Sequence, residues 1–170
     1  MKMIFVSGVR EIDTKTIINL ALQRSGYKDR FKYVDFNDFG DVNEDMKSAG
    51  DMLTARKMMS EFYEAMEKSV IGELKEQLGN IIVNGYLTVS TSSFGYFLAT
   101  PETFFKTFKP DVIVVVEMIT KDEKINEQQA INRHYAATYS SMCGSNLKIV
   151  KFREDEMMQA VSELSYLIKH

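Results

Sequence analysis

The chain has 170 residues, is 45% hydrophobic, carries a formal net charge of −3 and contains a single cysteine. Length and apolar content suit one domain with a full core. The negative charge excludes a general attraction for nucleic acid, and the lone Cys143 excludes an intramolecular disulfide. The apolar start from Met3 to Val6 is too short for a secretory or membrane segment, so a cytoplasmic protein with no nucleic-acid or membrane partner is expected.

In chain order, strand-like and helix-like stretches alternate. A first strand over Met3–Val6 is followed by an apolar helical stripe, Ile17, Ile18, Ala21 and Leu22, that stops at Ser25 and Gly26. A second strand spans Phe31–Phe36. The longest helical pattern runs from about Asp51 to Leu78, with Met52, Met59, Phe62, Met66, Val70, Leu74 and Leu78 on one face. This period predicts core packing for the methionines. Ile81–Val83 reads as a short buried strand, Asn84–Thr100 as a polar, glycine-containing loop, and a short helix starts near Pro101. The unbroken apolar run of DVIVVVE, Asp111–Glu117, predicts a strand buried on both faces, as in a parallel sheet. A helix over Glu123–Met142 capped by Gly144, a strand over Leu147–Phe152 and an amphipathic helix over Glu154–Ile168 complete the chain. Five strands separated by helices predict an α/β sheet with right-handed crossovers.

Ligands of such sheets bind beyond the carboxyl ends of the strands. That places the candidates at Gly8–Thr16, Asn37 and Asp38, Asn84–Tyr86, Glu117–Lys121 and Arg153. A strand, a glycine and a helix start, as in MIFVSGVREIDTKT, form a ready anion site, because unpaired amides and the helix dipole both favour negative charge. The phosphate-loop pattern is Gly, four residues, Gly, Lys and Ser or Thr. Gly8 fits its first place, but Asp13, Thr14 and Lys15 hold the next three. With one extra residue in the loop, Lys15 and Thr16 take the lysine and hydroxyl places and Thr14 replaces the second glycine. Ile12 resists the positive φ that wrapping a phosphate requires. A carboxylate such as Glu11 or Asp13 facing a phosphate charge at about 5 Å costs roughly 3 kcal/mol at an effective dielectric of 20. An ordinary strand-to-helix turn is the competing reading of this stretch.

Four segments carry a family resemblance: SGV with the Thr-Lys-Thr helix start, YVDFNDF, PDVIVVVE, and INEQQAINRHYAATYSSMCGSNLKIVKF from Ile125 to Phe152. In the last, Gln129, Asn132, Arg133, Ala136, Ala137, Tyr139 and Gly144 stand at family-like places. The sequence resembles the archaeal-type adenylate kinases, which are phosphate-loop nucleoside monophosphate kinases. The resemblance implies a three-layer α/β/α fold with a five-stranded parallel sheet, as one domain over 1–170. Its helical substrate-binding region spans about 38–78, and its lid is reduced to about 118–124. It implies ATP, ADP and AMP as ligands with Mg²⁺, interconverting ATP plus AMP with two ADP, and a homo-oligomer, since family members can be trimeric. It implies Lys15 and Arg133 as catalytic residues, and Gly8, Thr14, Lys15, Thr16, Asn132 and Arg133 as nucleotide contacts. Thr54, Arg56, Asn84, Gly95 and Tyr96 are the implied substrate contacts; no metal-ligand set is predicted.

The departures from the family pattern fall on its charged parts. The glycine-rich loop reads VREIDTK, and the acidic residue expected to help hold Mg²⁺ after the third strand is Asn84. The arginine of the AMP site aligns closest to Thr54, with Arg56 nearby as a displaced substitute. Only MITKDEK stands between Glu117 and Ile125, so the arginine-bearing lid is missing, and a transition-state arginine is worth about 10³ to 10⁵ in rate. Lys121, Lys124 and Arg133 are the cations left to stand in. Three functional readings stay open: a divergent member with weak or no phosphoryl transfer that binds a nucleotide or a partner; an active kinase using Lys15, Thr16, Arg56 and Arg133; and an oligomeric interaction module. The preferred expectation is the first. His134 has no second ligand at metal spacing and reads as a surface residue, and Cys143 as a small buried one. Asp35, Asp38 and Asp41 either bind a cation or face water. The hydroxyl-rich NGYLTVSTSSFGY, Asn84–Tyr96, offers neutral hydrogen bonds where the family binds its monophosphate, or it is a solvent-facing loop.

Overall fold

The computed structural model describes residues 1–68, 79–91 and 93–170. Its centre is a parallel sheet of β1 (Met3–Ser7), β2 (Phe31–Asp35), β3 (Asn80–Gly85), β6 (Val112–Ile119) and β7 (Asn146–Arg153), in the order β2-β3-β1-β6-β7. Every neighbouring pair is parallel. A separate antiparallel hairpin, β4 (Thr88–Ser90) with β5 (Tyr96–Leu98), lies between β3 and β6 in sequence.

Alternation along the strands sorts the apolar side chains into two layers. On one face Ile4, Val6 and Val114 meet Ile17, Ile18 and Leu22 of α1 (Thr14–Ser25) and Val161 and Leu164 of α6 (Met157–Lys169). On the other, Phe5, Val83 and Val115 share a cluster with Met59 and Phe62 of α3 (Met52–Met66), Phe105 of α4 (Glu102–Phe108) and Tyr139 of α5 (Glu123–Cys143). Helices on both sides explain why β6 is buried from Val112 to Met118. The five-stranded α/β sheet expected from sequence is therefore the one observed. β1 stands between β3 and β6, so the loop leaving it opens in the crevice beyond the carboxyl ends of three strands.

Three details differ from the sequence expectation. The stretch Asn84–Thr100 is not an open loop: it contains the hairpin, with Leu87, Thr88 and Val89 buried. Its turn closes because Gly95 adopts a left-handed φ of 78°, letting the Gly95 carbonyl accept from both the amide and the hydroxyl of Thr91. A short helix, α2 (Val42–Ser48), which no apolar period marks although it lies within the helical region of about 38–78 that the resemblance implies, follows a 3₁₀ turn over Phe36–Phe39. On α3, Met59, Phe62 and Met66 pack inward as expected, but Met52 at its first turn is exposed; Val70, Leu74 and Leu78 lie outside the described residues.

Gly85, at the end of β3, has a steric role. A Cβ there would lie 2.6 Å from two ring atoms of Phe5 and 3.1 Å from Phe36. Overpacking of this kind costs about 1–3 kcal/mol. Gly85→Ala is expected to lower the unfolding free energy measured in urea by that amount, whereas Gly50→Ala, with nothing within 4 Å, leaves it unchanged.

Candidate functional site

The loop from Gly8 to Asp13 folds back on itself. The Ile12 amide donates to the Val9 carbonyl at 3.0 Å and the Thr14 amide to the Ile12 carbonyl at 2.9 Å. Val9 and Ile12 are buried in the α1 layer, which fixes the turn from beneath. Gly8 allows close approach: a Cβ there would meet Thr14 Cγ2 at 3.0 Å and the Val116 carbonyl at 3.3 Å. Asp13 then caps α1, its carboxylate accepting from the Thr16 amide at 3.1 Å and the Thr16 hydroxyl at 2.8 Å. Asp41, Asp51 and Asp122 cap α2, α3 and α5 in the same way. Asp13 thus sets a carboxylate at the start of α1, where the helix dipole is positive.

A polar chain crosses the floor of the cleft next to this loop. The Thr14 hydroxyl donates to Asn84 Oδ1 at 2.8 Å, Asn84 Nδ2 to Tyr33 Oη at 3.4 Å, and Tyr33 Oη to Asp35 Oδ2 at 2.7 Å. Asp35 Oδ1 accepts from the Asn37 amide at 2.9 Å and from its Nδ2 at 2.8 Å, and Tyr86 donates to Asn37 Oδ1. Burial, and then the bond to Asp35, holds the Tyr33 phenol well above its ordinary range, so it remains a donor. The sequence carried one signal for this chain: Tyr33 and Asp35 are two apart on β2 and so share a face.

Two cavities open at this end of the sheet. The loop cleft, about 360 Å³, has Gly8, Thr14, Lys15 and Asn84 in its walls together with Glu11, Asp13 and Asp41. The hairpin cleft, about 720 Å³, lies between the loop, α2, the β4–β5 turn and the first turns of α5, and includes Gly95 and Tyr96. Tyr96 donates to Glu127 at 2.8 Å; burial and that carboxylate push its hydroxyl up to about 12.

Of the remaining sequence candidates, Thr16, Thr54, Asn132 and Arg133 are paired within the protein and Arg56, among the described residues, is not. Thr16 spends its amide and hydroxyl on Asp13, and Thr54 does the same with Asp51. Arg56 is exposed on α3 and lines neither cleft. Asn132 is buried and accepts from the Thr88 hydroxyl, while Gln128 Nε2 faces Thr88 at 3.3 Å, so the two bind α5 to the hairpin. Arg133 forms a bidentate pair with Glu117, Nε to Oε2 at 3.0 Å and Nη2 to Oε1 at 2.5 Å. Glu117 is buried at the end of β6, and its hydrogen bond raises the Arg133 pKa further. Gln129 pairs with both backbone groups of Met118, donating at 3.1 Å and accepting at 2.7 Å. The sequence places Glu117 among the strand-end candidates without a role; its partner sixteen residues on is not readable from local spacing. His134 is exposed and Cys143 half-buried. Among the described residues no group of three His, Cys, Asp or Glu is placed to hold a metal, and no helix is long and apolar enough to cross a membrane.

No protein-family model matches the chain. Relatives similar to it include the adenylate kinase of Pyrococcus abyssi (strain GE5 / Orsay), 26% identical over 185 residues, covering 95% of this chain and 92% of the relative. The adenylate kinase of Methanocaldococcus jannaschii is 25% identical over 193 residues, 99% of this chain and 98% of the relative. That of Thermoplasma volcanium is 24% identical over 186 residues, 96% of this chain and 98% of the relative. The similarity to archaeal adenylate kinases thus runs over nearly the whole length of both chains, as the sequence motifs implied.

Proposed function

We propose that this adenylate kinase-like chain keeps the scaffold of a nucleotide kinase and transfers phosphate from ATP weakly or not at all. Phosphoryl transfer depends on positioning and on cations and amides aimed at the phosphates. The observation that carries the reading is the Asp13 carboxylate, bonded to the Thr16 amide and hydroxyl at the start of α1, where a phosphate loop presents donors. The neutral Thr14–Asn84 bond and the Arg133–Glu117 pair support it, since both spend polar groups inside the protein. Nucleotide binding without turnover is compatible with all three.

Mg²⁺, which the resemblance implies, fits this arrangement poorly. Asn84 supplies no negative charge and its oxygen accepts from Thr14, while both oxygens of Asp35 are taken by Tyr33 and Asn37.

A coupled assay of ADP formation from ATP, AMP and Mg²⁺ tests the proposal. Kinases turn over at about 1–100 s⁻¹, and a rate at least about 10³-fold lower is expected here, unchanged by Lys15→Ala. Turnover in the ordinary range that Lys15→Ala abolishes would establish the active enzyme instead, with Lys15 in the loop cleft as its cation.

A further inference from the structure

The hairpin cleft, at about 720 Å³, has the size of a small-molecule site. Its charges cancel. Arg10, Lys47 and Lys124 line it, against Glu11 and Glu127, and Glu44 just outside binds both Arg10 and Lys47. A dianion entering this cleft would gain no net Coulomb attraction and would lose its hydration.

What the cleft does present is neutral hydrogen-bonding capacity. The side chains of Asn43 and Ser93 make no hydrogen bond to any described residue, and Gln128 uses only its Nε2, leaving Oε1 as an acceptor. An amide and a hydroxyl both donate and accept, which is what sugar hydroxyls require. Tyr96, fixed through its hydroxyl by Glu127, adds an aromatic ring to the same wall. Resting on the reading that phosphate handling has been given up here, we infer that the hairpin cleft binds an uncharged, hydroxyl-bearing ligand, a nucleoside or a free sugar, to which a phosphate adds nothing.

Titrations of the full chain with adenosine, AMP and ribose, followed by amide shifts of Asn43 and Ser93, test this. Saturable binding of adenosine or ribose is expected, with AMP no more than about tenfold tighter than adenosine. Adenosine alone would identify a nucleoside site, and ribose a sugar site. Asn43→Ala is expected to weaken the neutral ligand by up to about tenfold. AMP more than about tenfold tighter than adenosine, with that advantage lost in Lys124→Gln, would reveal an anion site and overturn the inference. So would the absence of saturable binding by either neutral ligand. These results do not depend on ADP formation, so the turnover assay can fail separately.

Discussion

Replacing Arg133 by alanine is expected to lower the stability of this protein by about 3 kcal/mol. Glu117 is 3% exposed, and Arg133 supplies it with two of its bonds, at 3.0 and 2.5 Å. Without the guanidinium a carboxylate is left at the buried end of β6 with no counter-charge, a loss that runs to about 3–5 kcal/mol for fully buried pairs. The lower end applies because the Arg133 side chain is itself 43% exposed, so water reaches the vacated position. For a chain of this size the midpoint should fall by about 6–12 °C in a thermal melt. The double variant Glu117→Leu with Arg133→Met should recover most of it, because well-packed apolar replacements of buried pairs are often neutral. If Arg133 served a bound nucleotide rather than Glu117, Arg133→Ala would leave the melt in place and change only activity.

Phe104→Ala is expected to cost more, about 3–5 kcal/mol. The Phe104 ring lies 5.9 Å from Phe5, 5.4 Å from Phe36, 5.7 Å from Phe105 and 5.3 Å from Phe108, centroid to centroid. It therefore joins β1, the turn after β2 and α4 in one aromatic cluster. Fully buried on all sides, it leaves a cavity that rigid β strands cannot collapse into. Urea denaturation would measure the loss. A change below about 1 kcal/mol would mean that the cluster is not packed as described.

The sheet was readable because burial on both faces leaves a plain mark: DVIVVVE is short, unbroken and rich in β-branched residues, and it forms most of β6. The hairpin was not, since each of its strands has three residues and its hydroxyl-rich turn reads like solvent-facing loop. The alternation Thr88, Val89, Ser90 ahead of Gly95 was the available signal. In the site, Glu11 and Asp13 stand out in the sequence by charge alone, and the cap that Asp13 makes for α1 is a separate, structural observation. Asn132 and Arg133 could be seen as polar positions on a helix, but not that they meet Thr88 and Glu117, because those contacts span 44 and 16 residues. Long-range polar pairing leaves no periodic trace in a single sequence.

The amides and hydroxyls of Thr14 and Thr16 are spent inside the protein, so a phosphate at the start of α1 meets a carboxylate and few open donors. Amide chemical shifts of the loop and this helix start during titration with ATP to millimolar concentration, with and without Mg²⁺, examine this directly. No saturable shift from Gly8 to Thr16 is expected; saturation at micromolar ATP, centred on Thr14, Lys15 and Thr16, would contradict it.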